Sequence, residues 1–341
     1  MVAEARPRWG DAEVVEATEV ADGIRRITLR REAREPRRAP AGSHLDVEVD
    51  LGCGRRDVRS YSVVSSDPTA TEVTLSVLAV ADSRGGSRHM HALAVGDRLR
   101  CTQPLQNFEL RPGHARQVLL AGGVGITALL AMGEVLARRG ADHAFVYAGR
   151  TRGAMAYLDD VVARHGDAAR VHVDDEGTPL DVAALVAEIA AHPQGHDTEV
   201  YMCGPIRLMD AVRRAWADAG LPVHHLRFET FGSSGWFTPE EFEVVVPRLG
   251  LTRTVRADST VLETLAEAGV EMMYDCRKGE CGLCQVDVVD VDGHVDHRDV
   301  FFSADEHRTT RRMCTCVSRA ARGDDRASAG GGPAVLTLDL P

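Results

Sequence analysis

The chain has 341 residues, 44% of them hydrophobic, and a formal net charge of −11. This length predicts two or three domains, and the hydrophobic content excludes a disordered chain. There is no run of about 18 apolar residues and no apolar core near the N-terminus, so we expect a cytoplasmic protein without a membrane span or secretory signal. Acidic residues exceed basic ones only in residues 112–341, and no basic face is concentrated there, which argues against a nucleic-acid partner.

The first part of the chain predicts antiparallel β-structure. Across residues 11–110, short apolar runs alternate with turns, as at 24–29, 58–64 and 72–80. This spacing is typical of an antiparallel barrel or sandwich.

Two motifs in this part carry groups suited to a phosphorylated aromatic ligand. Arg59, Tyr61 and Ser62 lie in a predicted strand and supply a cation for a phosphate, an aromatic ring and a hydroxyl. The second motif is a turn whose backbone N–H groups suit a phosphate. It contains Gly85, Gly86 and Ser87. Taken singly, the motifs also fit an amphipathic strand and a plain hairpin turn, but their combination ahead of an α/β unit favours a ligand site.

From residue 116 the pattern changes to alternating strands and helices. Apolar runs predict buried strands at 118–121, 144–147, 171–173 and 199–202. Amphipathic stretches between them predict helices near 127–139, 156–164 and 179–191. The alternation predicts βαβ units on a parallel sheet.

Two turns of this α/β part predict a nucleotide site. The first strand leads to its helix through a glycine-rich turn, where a pyrophosphate can approach the backbone and the helix N-terminus. This turn contains Gly122, Gly123 and Gly125, and Thr127 follows in the helix. The last predicted strand ends at the carboxyl edge of the sheet, where open α/β sheets bind ligands. The turn after it contains Cys203, Gly204 and Pro205.

The acidic run 174–176 bears on the choice of nucleotide. It follows a predicted strand, and its first residue, Asp174, suits a free ribose hydroxyl better than a 2′-phosphate. The run therefore favours NADH. Arg150 and Arg152 end the preceding strand and provide the alternative, a site for the phosphate of NADPH.

A third domain follows a linker predicted at 233–240. A hairpin at 242–246 and 252–256, a helix that starts with a capping box at Thr260 and Glu263, and a last strand at 334–340 are predicted there. We therefore divide the chain into domains at 1–111, 112–232 and 241–341.

Five of the eight cysteines lie in the last 66 residues. Cys276, Cys281 and Cys284 have the spacing C-x4-C-x2-C, which together with one distant cysteine is the plant-type [2Fe–2S] pattern. Zinc is the alternative, since Cys281 and Cys284 with Cys314 and Cys316 would form two close pairs.

The fourth ligand has two candidates. The run Thr315-Cys316-Val317-Ser318 resembles the fourth-ligand segment of plant-type ferredoxins, which favours Cys316. Cys314 lies two residues away and is the alternative. We expect the isolated Cys53 and Cys101 to be packed thiols.

Together these segments resemble the phthalate dioxygenase reductase family, within the larger ferredoxin–NADP reductase-like group. The matching segments are 59–62, 85–87, 122–127, 203–205, 228–231, 296–299, 316–320 and the cysteine loop. The order of the domains matches as well, and vanillate demethylase reductases share it. The resemblance implies a multi-domain chain: an antiparallel Greek-key β-barrel for FMN, an α/β parallel-sheet domain for NADH, and an α+β β-grasp ferredoxin.

The resemblance also implies residue roles. Arg59 and Ser87 should bind the FMN phosphate, and Tyr61 should lie against the flavin ring or its ribityl chain. The groups implied near the reacting centre are Ser62 at the reactive edge of the flavin, Thr127 between flavin and nicotinamide, Cys203 near the nicotinamide, and Phe231 covering the flavin. Two departures from the family are Val63 in place of the usual Leu and two additional residues between Cys284 and Asp296.

The implied activity is that of an NADH-dependent reductase, expected to be monomeric, in an oxygenase system. A hydride would pass to FMN, and single electrons would then pass through the cluster to a Rieske-type oxygenase. A haem-thiolate monooxygenase as acceptor, or a redox-sensing subunit without turnover, are the alternatives.

Overall fold

The structure is a computed structural model that describes residues 7–32, 38–52, 55–81, 85–231, 239–257, 259–322 and 332–340. The chain divides into two compact units, Met1–Glu229 and Thr230–Pro341. Cys53 and most of the linker predicted at 233–240 lie outside the described residues. Among the residues that are described, no helix is both long and apolar enough to cross a bilayer. The predicted domain boundaries stay predictions.

The first unit begins with a closed antiparallel barrel. Its strands are β1 (Trp9–Ala21), β2 (Ile24–Arg31), β3 (Ser43–Gly52), β4 (Arg55–Ser66), β5 (Glu72–Leu78), β6 (Arg98–Thr102) and the short β7 (Leu105–Gln106), with α1 (Gly86–Ala92) between β5 and β6. The strand order is β4-β5-β2-β1-β6-β3-β7, and β4 also pairs with β3, which closes a six-stranded barrel. Side chains that alternate inward fill the barrel, including Ile27, Leu45 and the predicted packed thiol Cys101. The predicted antiparallel barrel is confirmed.

A parallel sheet completes the first unit. Its elements are β8 (Arg116–Gly122), α2 (Ile126–Arg139), β9 (His143–Gly149), α3 (Leu158–His165), β10 (Ala169–Val173), α4 (Val182–Ala191), β11 (Thr198–Cys203), α5 (Ile206–Asp218) and β12 (Leu226–Glu229). The order β10-β9-β8-β11-β12 places the reversal of strand order between β8 and β11. In such a sheet the ligand crevice lies at the carboxyl ends of those two strands.

Two elements of this sheet had no sequence prediction. Helix α5 buries Met209, Val212 and Trp216 at a spacing of three and four residues, which is a helical pattern. Strand β12 has only four residues, too few for a period to be visible. The βαβ alternation itself is confirmed.

The second unit is a β-grasp fold. Its elements are β13 (Phe242–Val246), β14 (Leu251–Val255), α6 (Val261–Glu267), β15 (Gln285–Asp292), β16 (His294–Asp296), α7 (Ala304–Thr309), β17 (Arg312–Cys314), β18 (Arg319–Ala321) and β19 (Ala334–Asp339). The main sheet has the order β14-β13-β19-β15-β17, and β16 pairs with β18 in a separate ribbon. The predicted hairpin, capping box and last strand are confirmed.

The buried side chain of Arg319 joins separate segments of this unit. Its guanidinium donates to the carbonyl oxygens of Ser259, Arg256 (2.7 Å) and Glu240 (3.2 Å), and lies 5.1 Å from the centre of the Phe242 ring. Buried carbonyl groups need donors, so this arginine stabilises the turns before β13 and α6.

Candidate functional site

The predicted phosphate-binding residues of the barrel lie together. A Cβ atom added to Gly86 would be 2.9 Å from Cγ of Arg59, so only glycine lets this turn lie directly on the arginine side chain. Gly85 has a φ of +107°, which other residues rarely adopt, and an added Cβ would lie 2.7 Å from Cδ2 of Leu51. The turn at the start of α1 and the Arg59 side chain of β4 therefore form one local structure.

Polar groups of the protein already contact the two predicted phosphate ligands. The Arg59 guanidinium donates to Asp57 and, at 2.9 Å, to the carbonyl oxygen of Val58. A guanidinium has five N–H groups, so these bonds leave donors for a phosphate. The Ser87 hydroxyl accepts a hydrogen bond from the Val80 backbone N–H at 3.3 Å, which ties the two ends of the turn together.

Tyr61 and Ser62 are neighbours on β4 but have different surroundings. Burial raises the pKa of Tyr61, so its phenol stays protonated at physiological pH. The buried Ser62 hydroxyl donates to Oε2 of Glu229 at 2.8 Å. Glu229 is itself only 2% exposed. This hydrogen bond orients the serine oxygen, and sequence reasoning did not find it because it joins residues 167 positions apart.

The two turns at the carboxyl ends of β8 and β11 pack backbone against backbone. A Cβ on Gly125 would be 2.1 Å from the carbonyl oxygen of Cys203, and one on Gly122 would be 2.7 Å from Cδ of Pro205. The structure thus requires these two glycines for contact between the turns. Gly123 differs, because an added Cβ would meet nothing within 4 Å. It faces open space at the crevice, where a ligand can approach the backbone.

Thr127 and Cys203 are enclosed by these same turns. Their exposed fractions are 2% and 1%. The Thr127 hydroxyl donates to the carbonyl oxygen of Val124 at 3.0 Å, inside the first turn of α2. Both side chains lie beside the carboxyl ends of β8 and β11 and are packed within the protein rather than exposed at its surface.

The acidic run after β10 forms an ion pair with Arg152, one of the two arginines considered above for the phosphate of NADPH. Nε and Nη2 of Arg152 donate to the two carboxylate oxygens of Glu176 at 2.5 and 2.9 Å. Asp174 begins the same exposed turn. Arg152 is therefore engaged by a carboxylate in a two-point ion pair.

In the second unit, the segment around the predicted flavin cover is attached to the cysteine loop. The backbone N–H and hydroxyl of Thr230 donate to Oε1 of Glu280 at 2.6 and 2.7 Å. Phe231 follows and is 43% exposed. Glu280 lies between Cys276 and Cys281, so this contact helps to hold the loop.

The cysteine loop directs backbone N–H groups at a sulfur atom. The N–H groups of Lys278, Glu280 and Cys281 point at Sγ of Cys276 at 3.4, 3.3 and 3.4 Å. A hydrogen bond from Cys316, followed by these N–H groups, lowers the pKa of Cys276 to about 5 although burial opposes the shift. The loop is thus arranged to stabilise a thiolate.

The distant cysteines reach the same place. Hydrogen bonds from Cys314 and Cys316 lower the pKa of Cys284 to about 3. The Cys316 thiol forms hydrogen bonds with the sulfur atoms of both Cys276 and Cys284, whereas the Cys314 thiol forms its hydrogen bond with the sulfur of Cys284. The cysteine segments are joined by backbone bonds as well, since the Thr315 N–H donates to the carbonyl oxygen of Cys284 at 3.1 Å. Convergent thiolates with backbone donors fit an iron–sulfur cluster.

Comparison with known proteins covers all three parts of the chain. Family models match an oxidoreductase FAD-binding domain at residues 11–110, an oxidoreductase NAD-binding domain at 119–214 and a 2Fe-2S iron-sulfur cluster binding domain at 246–321. A putative toluene-4-sulfonate monooxygenase system reductase subunit of Comamonas testosteroni is 36% identical over 84% of this chain and 87% of its own length. The solved structure of phthalate dioxygenase reductase matches with a TM-score of 0.74 and 27% identity, over 97% of this chain and 98% of that one.

This chain belongs to the phthalate dioxygenase reductase-like family. It is an NAD(P)H-dependent flavin and [2Fe–2S] oxidoreductase, the reductase component of an oxygenase system. The zinc alternative for its cysteines is wrong, because the matching domain binds a 2Fe-2S cluster. The alternative of a redox-sensing subunit without turnover is also wrong, because the family consists of NAD(P)H-dependent oxidoreductases.

One further solved structure is relevant to the reductase. An intact type IV self-sufficient cytochrome P450 monooxygenase matches with 38% identity and a TM-score of 0.64 over 97% of this chain. The reductase spans about two-fifths of that protein, 41% of its length. Similar reductase sequences therefore occur within longer chains.

Proposed function

We propose that this reductase takes electrons from NADH through FMN and its [2Fe–2S] cluster to a Rieske-type oxygenase. The proposal rests on three sites that occur on one chain. They are the turn in which Gly86 lies against Arg59, the glycine turns at the ends of β8 and β11, and the convergent cysteines. The flavin, when bound, accepts an electron pair as hydride, and the cluster passes electrons singly. The protein binds and orients these groups.

The barrel residues are proposed to bind FMN. Arg59 and Ser87 would hold its phosphate, with backbone N–H groups of Gly85 and Gly86 beside them. Tyr61 would lie against the ring or ribityl chain, Ser62, oriented by Glu229, would face its reactive edge, and Phe231 would cover it. Two observations support FMN. One is the family resemblance. The other is that Gly86 lies against the Arg59 side chain, an arrangement that suits one phosphate group.

The flavin can be identified directly. Flavin released from the purified chain by acid and separated by mass is expected to be FMN, bound in a 1:1 ratio. The Gly86→Ala variant should lose most of it, because the added Cβ displaces the Arg59 side chain. The matched control is Gly10→Ala on β1, whose Cβ would meet nothing within 4 Å. Release of FAD would contradict the proposal.

NADH is proposed to bind at the switch point of the parallel sheet. The turns with Gly122, Gly123 and Gly125 and with Cys203, Gly204 and Pro205 would hold its pyrophosphate and nicotinamide, with Thr127 and Cys203 nearest the reacting carbon. Asp174 would bind the ribose hydroxyls. The ion pair with Glu176 supports NADH over NADPH, because it neutralises the Arg152 guanidinium that a 2′-phosphate would need.

Removing the Glu176 charge should relax this preference. In Glu176→Gln, the Arg152 guanidinium becomes available, and kcat/KM for NADPH relative to NADH should rise severalfold, because the freed guanidinium can form a charge-assisted hydrogen bond with the 2′-phosphate. Glu188→Gln is the matched control, because Glu188 forms the same two-point pair with Arg170 (2.6 Å for both bonds) on β10 and α4. An unchanged ratio in Glu176→Gln would show that Arg152 does not select the nucleotide.

The cluster ligands are proposed to be Cys276, Cys281, Cys284 and Cys316. Cys316 is supported over Cys314 because its thiol reaches two of the other sulfurs, those of Cys276 and Cys284. The backbone N–H and the side-chain hydroxyl of Thr315 both donate to the carbonyl oxygen of Cys284 and position this segment.

Serine substitution distinguishes the two candidates. Cys316→Ser should lose most iron and acid-labile sulfide, while Cys314→Ser keeps both and the visible absorption of the cluster. Both serines should preserve the fold, since the two cysteines are equally buried, with 0% and 4% exposure. Retention of iron in Cys316→Ser together with its loss in Cys314→Ser would reverse the assignment.

The acceptor is proposed from the relatives and from charge. Residues 241–341 carry six more acidic than basic residues, and the thiolates of a bound cluster add negative charge, so a basic patch on the acceptor fits. A Rieske-type oxygenase is favoured by the match over the full length of phthalate dioxygenase reductase. A haem-thiolate monooxygenase is the second candidate, and the match within a self-sufficient cytochrome P450 supports it.

Electron transfer can be followed with purified acceptors of both classes. With NADH, a Rieske-type oxygenase should be reduced in preference to a haem-thiolate protein. The rate should fall about tenfold or more as salt rises, because the Debye length falls from about 30 Å at 0.01 M to about 3 Å at 1 M. NADH–ferricyanide activity at each salt concentration is the control. Preferential reduction of the haem protein would select the second candidate, and transfer that is independent of salt would exclude docking by charge.

A further inference from the structure

A buried carboxylate lies beside the cysteine segments and is not a cluster ligand. The side chain of Asp299 is fully buried. Its Oδ1 accepts a hydrogen bond from the Ser318 hydroxyl at 3.0 Å, and its Oδ2 accepts from the Phe302 N–H at 3.0 Å. Nε2 of His307 lies 3.1 Å from Oδ2, and Nδ1 of His297 lies 3.5 Å from Oδ1. One carboxylate thus contacts four separate residues.

These groups have the composition of a metal site but not its geometry. The donor atoms of His297, Asp299 and His307 lie within 4.8 Å of one another. However, the two imidazole rings are stacked, with centroids 4.6 Å apart and an angle of 15° between their planes. Ring-nitrogen lone pairs lie in the plane of each ring, so in stacked rings they cannot converge on one ion. The arrangement is that of a hydrogen-bonded carboxylate with two histidines.

The carboxylate of Asp299 is ionised in this setting. Burial opposes ionisation, yet the adjacent His297 ring, the hydrogen bond with His307 and the Phe302 N–H hold the pKa of Asp299 well below its usual range. An ionised acceptor makes stronger and shorter hydrogen bonds than a neutral one. Its contacts therefore restrain the groups that donate to it.

Asp299 connects to both cysteine segments. Ser318, which donates to its carboxylate, lies two residues after Cys316, and the Ser318 N–H donates to the carbonyl oxygen of Cys314 at 3.0 Å. On the other side, a Cβ on Gly279 would lie 2.8 Å from Cα of Asp299, so the loop between Cys276 and Cys281 packs on the Asp299 backbone. The N–H groups of Val300 and Phe301 donate to the Gly279 carbonyl oxygen at 3.0 and 3.1 Å.

We propose that Asp299 is a positioning residue for the cluster: its carboxylate fixes the turn that carries Cys316, while its backbone holds the loop that carries Cys276 and Cys281. The inference rests on the proposed ligand set. Residues that orient metal ligands without touching the metal commonly affect metal affinity or activity by about 10- to 100-fold. Asp299 reaches the cluster ligands through Ser318 and Gly279.

Two variants test the inference in the purified full-length reductase. Asp299→Asn keeps the shape of the side chain but removes its charge. Ser318→Ala removes the hydroxyl that donates to Asp299 and accepts from the Arg298 N–H at 3.2 Å. Asp290→Asn is the matched control, because Asp290 is an exposed aspartate on β15 of the same unit. The readouts are the rate of iron loss to a chelator and the electron paramagnetic resonance spectrum of the reduced cluster.

Asp299→Asn is expected to lose iron about 10- to 100-fold faster than the unaltered chain and to shift the g-values of the remaining cluster. Ser318→Ala should show a smaller change of the same kind, and Asp290→Asn none. A purely structural role would lower thermal stability without altering the spectrum of the cluster that remains. Wild-type iron loss and spectrum in Asp299→Asn would overturn the inference. If that variant does not fold, the same result in Ser318→Ala overturns it.

The outcome is separable from failure of the proposed ligand set. If Cys316→Ser retains its cluster, the ligand assignment is wrong, whatever the Asp299 variant does. If Cys316→Ser loses the cluster while Asp299→Asn and Ser318→Ala behave as the unaltered chain, only the positioning role is wrong.

Discussion

Thiolate sulfurs that lie close together repel one another, and the second unit is built around that constraint. Cys276, Cys284 and Cys316 lie within hydrogen-bonding reach in a largely buried region. Backbone N–H groups of Lys278, Glu280 and Cys281 are directed at Cys276 and offset part of its negative charge. The loop reaches this arrangement with positive φ angles at Gly279 (+76°) and Gly282 (+70°), which glycine adopts without strain, and at Arg277 (+51°).

The same need for backbone approach shapes the first unit. Gly86 lies against Arg59, and Gly125 lies against Cys203, so in both places a side chain would separate the groups that form the site. Phosphate and pyrophosphate groups are bound by backbone N–H groups and helix N-termini, which become accessible where side chains are missing. At the glycine turn after β8, Gly123 has open space at its Cα and leaves room for such an approach.

Buried carboxylates fix the side chains around these backbone turns. Glu229 orients the Ser62 hydroxyl in the first unit. In the second unit, Glu280 binds Thr230, and Asp299 binds Ser318. Each carboxylate accepts hydrogen bonds from a segment distant in sequence, so each restrains a turn that local backbone preferences alone would leave less constrained.

The sequence by itself determined the class of fold and the residue types at each site. Short apolar runs separated by turns predicted the barrel, continuous apolar runs predicted the parallel sheet, and the spacing of Cys276, Cys281 and Cys284 predicted the cluster, because these signals depend only on neighbours along the chain. Helix α5 carries its helical pattern within the sequence, whereas β12 is too short to show a pattern. Only the tertiary structure decided that Gly122 and Gly125 serve contact between two turns, that Glu176 engages Arg152, and that Asp299 joins the cysteine segments. These relations connect residues from 19 to about 80 positions apart, and no local pattern specifies which distant segments meet until the sheets bring them together.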